Sequence, residues 1–222
     1  MARKTHSSPE QAQQAILDAA EALMVEVGPA GLRISAVAKK AGMAHPNIIH
    51  HFGSRDGLIN ALAERVGQRA TTRITEAIKQ ATDAAPEDRI AAMTHVLDTA
   101  YPGDEGKAAV WLHLSGAQSS LKPNMERIVQ LSHNLRQTID PDASLANTNR
   151  LVMLVTLALV GEVVSGQGIK GALGFSGDET GDDADNSRAH FRRWLTEILL
   201  NLSDRQLNTS LSDQQSTISE KT

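Results

Sequence analysis

Apolar residues along most of this chain recur every three or four positions, the period of an amphipathic helix, and nowhere alternate as a half-buried strand requires. Ser8-Pro9-Glu10-Gln11 reads as a capping box with proline at the first helical position. Ala12, Ile16, Ala19, Ala20, Leu23 and Val27 then continue one apolar face until Gly28 ends it. A short helix is expected from about Ala36 to Ala41 with Ser35 as its N-cap, and a second begins around Pro46. After the break at Gly53-Ser54-Arg55-Asp56, Leu58, Ile59, Leu62, Val66 and Ile74 carry a long helical period to about Ala81. Further periods fall at about 86–100, 107–119, 123–139, 144–165 and 188–202, with breaks at Pro102-Gly103, Lys122-Pro123 and Asp140-Pro141. The expected fold is all-α: three short helices, a long lever and a second helical domain.

Within Val37 to Phe52, a small residue, a glycine and an apolar residue stand at the spacing of a helix-turn-helix. Ala38 suits a close crossing of two helices. Gly42, four residues later, suits a sharp turn that only glycine makes without steric cost. Ile48 reaches back into the shared core, with Phe52 one turn further on the same face. Lys39 and Lys40 near the end of the first helix complement its dipole.

This order, over Glu26 to Glu64, resembles the TetR (tetracycline repressor) family of bacterial regulators, and the resemblance covers roughly the first quarter of the chain. It implies that His45, Pro46 and Asn47 occupy base-contacting slots, that Ile49, His51 and Arg55 occupy phosphate-contacting slots, and that His50 fills a further slot used on DNA. Ile49 stands where the family usually has a tyrosine, so any contact it makes is apolar. Ala44 replaces a common capping serine or threonine, a loss of about 1 kcal/mol of helix stability unless something compensates. Asn47 is the expected base reader, because its amide can pair bidentately with adenine. Arg33, Lys39 and Lys40 are candidate phosphate contacts.

Charge sharpens that picture. The chain carries a formal net charge of −4, but residues 1–70 hold 8 Lys and Arg against 6 Asp and Glu, and the remainder 14 against 20. The positive balance therefore lies with the motif. His6, His45, His50 and His51 add to it, since a phosphate backbone favours protonated imidazole and binding should strengthen below neutral pH. With no cysteine there is no disulfide or thiolate metal site. Adjacent His50 and His51 diverge by about 100° on a helix, so no metal is expected there. No charged n-region followed by an apolar h-region opens the sequence, which makes the cytoplasm the expected address. The apolar run Leu151–Val164 is shorter than the ~20 residues needed to cross a bilayer and reads as a buried helix.

The expected division is a helix-turn-helix domain over 1–55, a helical effector-binding and dimerisation domain over 56–202 and a disordered tail over 203–222. Residues 166–187, glycine-rich and then acidic, are expected as a mobile loop. Gly166-Gln167-Gly168-Ile169-Lys170-Gly171 matches a dinucleotide fingerprint, but no strand precedes it and acidic residues follow, so it reads as a helix exit. No catalytic motif is present and no cofactor is implied. The resemblance implies a homodimer in which the last two helices pair with their copies, and the sequence offers two stripes for it. One is Leu151, Leu154, Val155, Ala158 and Leu159; the other is Phe191, Trp194, Leu195, Ile198, Leu199 and Leu202.

Such a dimer implies a near-palindromic double-stranded operator and a small-molecule effector held in the second domain. Polar or polarisable residues within apolar helices are the effector candidates: Trp111, His113, Gln118, Met125, Met153 and Glu162. Glu162 stands out, because an unpaired carboxylate in an apolar helix is costly and a cationic ligand, or an internal partner, would relieve it. Control by a protein partner, or a small enzyme carrying a helix-turn-helix, are the competing readings; an enclosed cavity separates the first from ligand control.

Overall fold

The computed structural model describes residues 8–114, 121–174 and 184–202. Among them are helices α1 (Pro9–Gly31), α2 (Ile34–Ala41), α3 (His45–Phe52), α4 (Arg55–Thr82), α5 (Arg89–Ala100), α6 (Gly103–Leu114), α7 (Leu121–Ile139), α8 (Leu145–Ala172) and α9 (Ala184–Asn201), with a 3-10 turn at Pro86–Asp88 before α5. No strand occurs among the described residues. The chain divides into two compact units, one comprising the chain through Arg69 with Pro102–Lys122, the other Ala70–Tyr101 with the chain from Pro123 onward. This differs from a cut at residue 55: the first half of α4, together with α6, belongs to the N-terminal unit.

In the first unit the capping box forms as expected. The Ser8 amide donates to Gln11 Oε1 at 3.0 Å and the Gln11 amide to Ser8 Oγ at 3.3 Å. Ile16, Ala20, Met24, Leu32, Val37, Ile48, Leu58 and Leu62 are almost fully buried around one core, which Ala108 and Leu112 of α6 complete. Met24 rather than Val27 closes the inner face of α1, and Val27 is exposed. Gly28, at φ 67° and ψ 179°, breaks the helical path where a stop was expected, and a short helical stretch resumes to Gly31. Helix α2 starts two residues early: Arg33 holds the N-cap position in extended conformation without a side-chain bond, and Ser35 lies inside the first turn.

The second unit is built around Ala77, Ile78, Val96, Leu97, Leu135, Leu159 and Leu195, one or two side chains each from α4, α5, α7, α8 and α9. Helix α5 packs along α9, where Thr94 Oγ1 meets Thr196 Oγ1 at 3.3 Å. Ser144 caps α8, accepting from the Asn147 amide at 3.2 Å. That helix continues to Ala172, so the loop expected from Gly166 does not begin there. Three glycines cost roughly 1 kcal/mol each against alanine in a helix, and here the helix continues through them nonetheless. The GxGxxG match is therefore helical, with its backbone in helical conformation and no phosphate loop. Residues 175–183 and 203–222 lie outside the described residues.

The expected α8 stripe splits over two faces. Leu159 is in the core and Leu151 and Val155 line a cavity, whereas Leu154 points outward with Met153, Leu157 and Val164. Helix α8 is the one helix among the described residues long and apolar enough to cross a membrane, and little of its apolar window is fully buried within the single chain.

Candidate nucleic-acid interface and ligand cavity

Backbone geometry sets the turn between α2 and α3. Gly42 adopts the left-handed conformation (φ 65°, ψ 29°), which lets the Met43 amide reach the Ala38 carbonyl at 2.9 Å and the Gly42 amide reach Lys39 at 3.3 Å. These two bonds close the end of α2 and redirect the chain. Helix α3 then starts without a side-chain cap at Ala44, with Pro46 in its first turn. Ile48 is fully buried and Phe52 packs against the same core, which fixes the rotation of α3. His45, Pro46, Asn47, Ile49 and His50 consequently lie exposed, and His51 is half-buried, its ring meeting that of His50 edge-on at 5.6 Å. Ile49 is 38% exposed, an apolar side chain displayed among polar ones.

The basic candidates differ in how free they are. Arg33 and Lys39 are exposed and make no ion pair among the described residues. Lys40 pairs with Glu26, 2.5 Å from Nζ to Oε1. Arg55 donates from Nε to the Leu32 carbonyl at 2.9 Å, tying the start of α4 to the segment before α2. Sequence reading missed Gly57. A β-carbon there would lie 2.0 Å from the Phe52 carbonyl oxygen, so the α3–α4 corner closes only over a glycine. The Ser54 hydroxyl accepts from the Gly57 amide at 3.0 Å and opens α4. Behind the motif, Arg65 reaches Asp18 at 2.6 Å and Glu21 at 2.5 Å, while Arg69 pairs with Glu21 and, at 3.1 Å, with Glu105 of α6. No group of three or more potential metal ligands occurs among the described residues.

The second unit holds a partly open cavity of about 660 Å³ between α4, α5, α7, α8 and the end of α9. Its walls are mainly aliphatic, from Ile74, Ile78, Val96, Leu135 and Val155 among others, with Tyr101, Ser132, Arg136, Asp140, Asp142 and Thr156 among the polar members. Arg136 Nη1 donates to Thr148 Oγ1 at 2.8 Å, and His133 Nδ1 meets the same hydroxyl at 3.1 Å. Of the six effector candidates, Met125 lines this cavity. Trp111 and His113 lie exposed on α6 in the other unit, Met153 is exposed on α8, and Gln118 lies outside the described residues. Glu162 is buried and paired internally: Arg192 Nε lies 3.0 Å from Glu162 Oε2. Arg192 Nη1 also donates to the carbonyls of Leu97 at 3.1 Å and Asp98 at 3.2 Å.

A helix-turn-helix with an exposed second helix, followed by a helical unit holding an apolar cavity, defines a DNA-binding regulator class. Residues 16–62 match the family described as "Bacterial regulatory proteins, tetR family". Over 155 residues the chain is 28% identical to the HTH-type transcriptional regulator BetI of Stenotrophomonas maltophilia, covering 64% of this chain and 76% of that protein. It shares its fold with a TetR-family transcriptional regulator from Mesorhizobium loti (TM-score 0.62, 12% identity, 88% of this chain and 98% of that one). The multidrug binding protein EbrR, solved with imidazole, is also similar (TM-score 0.56, 18% identity, 87% and 97% covered). Residues 16–62 thus carry a tetR-family helix-turn-helix, and the chain is similar to transcriptional regulators of that family.

Proposed function

We propose that this regulator is a homodimeric repressor that holds a near-palindromic operator through α3 and its surroundings and is released when a small molecule occupies the cavity of the second unit. The cavity carries the ligand half of this reading: about 660 Å³ of mostly apolar space with a few polar groups fits a small-molecule site and favours it over control by a protein partner. EbrR's ligand-bound structure supports the same assignment by analogy of fold. The exposure of Leu154, Leu157 and Val164 on α8 and of Trp194 on α9, each about half exposed or more, supports pairing with a second copy. Two-fold pairing sets half-sites one DNA turn apart, about 34–36 Å. DNA as the partner places the protein in the cytoplasm.

On the DNA, His45, Pro46, Asn47 and His50 face the base edges, with Ile49 offering an apolar contact. Arg33, Lys39, His51 and, through exchange of its Glu26 partner, Lys40 serve the phosphates. Arg55 combines a phosphate contact with its bond to Leu32. Release requires that the ligand prefer the conformation with the recognition helices spread; a thousandfold loss of operator affinity needs about 4 kcal/mol of differential affinity. Selection from random oligonucleotides at low salt tests the first half. Asn47→Ala should then lose about 1–3 kcal/mol at one base-pair position and leave others unchanged; failure to select any sequence removes the proposal.

A further inference from the structure

The polar groups of the cavity are distributed unevenly in their freedom to bind. Tyr101, at the C-terminal end of α5, lines the cavity, and its hydroxyl has no hydrogen-bond partner among the described residues; the same is true of the Ser132 hydroxyl on α7. The charged groups are already engaged or lie where the chain is open. Arg136 is held by Thr148 Oγ1, Asp140 Oδ1 accepts from the Asp142 amide at 3.1 Å, and Asp142 itself is exposed at the turn between α7 and α8.

That inventory discriminates between ligand charges. A quaternary ammonium is recognised over several aromatic faces, and Tyr101 is the one aromatic side chain in the lining. A carboxylate asks for a guanidinium free to make paired bonds, whereas Arg136 spends its donors on the α7–α8 corner. An ion placed among the aliphatic walls without such partners loses its hydration uncompensated. A neutral molecule with one acceptor loses nothing comparable, and it satisfies the phenol.

Resting on the reading of this cavity as the effector site, we infer that the effector is an uncharged, predominantly aliphatic molecule bearing a hydrogen-bond acceptor, such as a carbonyl, that receives the Tyr101 hydroxyl proton in a hydrogen bond. Burial raises the Tyr101 pKa, which keeps the phenol a neutral donor at physiological pH. Ser132 supplies a second donor or acceptor for a ligand with another polar group.

Tyr101 is the single tyrosine of the chain, so biosynthetic 3-fluorotyrosine places one fluorine reporter in the lining. Full-length protein is titrated with 2-decanone, decanoate and decyltrimethylammonium, three probes of one alkyl length, following the fluorine resonance, with affinities measured calorimetrically on unlabelled protein. The expected result is a saturable shift with 2-decanone, at least tenfold tighter than either ion, and a five- to tenfold weaker affinity for 2-decanone in Tyr101→Phe. Equal or tighter binding of decanoate or decyltrimethylammonium overturns the neutral class while leaving the cavity as a ligand site. Unchanged affinity in Tyr101→Phe overturns the hydrogen bond. A resonance indifferent to all three probes overturns both the class and the reading of the cavity on which it rests.

Discussion

The Arg192–Glu162 pair offers the most demanding test of how the second unit is held together. Both side chains are almost fully buried, 5% and 3% exposed, and Glu162 Oε1 has no partner, so the carboxylate depends on Arg192 alone. The guanidinium also terminates α5. The residue four beyond Asp98 is Pro102, which has no amide hydrogen to offer, and Arg192 Nη1 supplies the missing donor at 3.2 Å. Arg192→Met keeps much of the volume but strands a buried charge and an orphan carbonyl, a loss of about 3–5 kcal/mol. That is a large share of the roughly 5–15 kcal/mol that stabilises a typical domain. Glu162→Met in the same chain removes the stranded charge, leaving mainly the unmet carbonyl, so the double variant should lie within about 1–3 kcal/mol of the parent. Urea unfolding at one fixed protomer concentration measures all three, because a dimer's stability depends on concentration. An Arg192→Met loss below about 1 kcal/mol, or a double variant whose loss equals the sum of the singles, refutes the argument.

Other outcomes follow from the same geometry. Lys39→Ala should weaken binding to all DNA sequences and lower the salt dependence of log K by about one unit, whereas Lys40→Ala should do less because Glu26 already engages it; equal slopes in gel-shift titrations at several salt concentrations would contradict this. Leu157→Glu, at the most exposed apolar position in the middle of α8, should yield a monomer by sedimentation velocity and lose operator affinity with it; an intact dimer would move the interface elsewhere. Burial raises the Tyr101 pKa, so the folded state holds that proton more tightly than the unfolded chain. Its contribution to stability is complete below about pH 10 and is lost as pH rises beyond it, a decline that Tyr101→Phe should flatten in alkaline denaturant titrations.

The DNA-binding head was legible from sequence because its determinants are local. Ser8 and Gln11 bond across three residues, Gly42 needs only its own dihedral angles, and Ile48 is oriented by the helix it stands on. What escaped were partners brought together by the tertiary fold. Glu26 and Lys40 are fourteen residues apart, Arg55 and the Leu32 carbonyl twenty-three, and Gly57 is required by a close approach that no spacing rule encodes. The start of α2 also lies ahead of the Ser35 cap that the sequence suggests, because Arg33 already holds the extended N-cap conformation. The glycine-rich stretch from Gly166 suggests a helix exit, yet each glycine carries a cost too small to stop a 28-residue helix.

The cavity was less legible for a physical reason that bears on how such sites are sought. A charged residue inside an apolar helix signals that something must neutralise it, and in Glu162 that something is Arg192 of the same chain, thirty residues on. The groups left free to meet a ligand are weakly polar hydroxyls, and weakness is what permits their freedom: Tyr101 and Ser132 can stand without a partner at modest cost, whereas a carboxylate cannot. Tyr101 precedes the Pro102-Gly103 break and Asp140 precedes Pro141, so both cavity positions stand at helix ends that the sequence did mark. At both ends the chain leaves its helix at the cavity wall, among the aliphatic side chains that line it. Helix breaks next to a lone hydroxyl therefore mark the lining of the proposed effector cavity more directly than charges buried mid-helix, which the fold has already claimed.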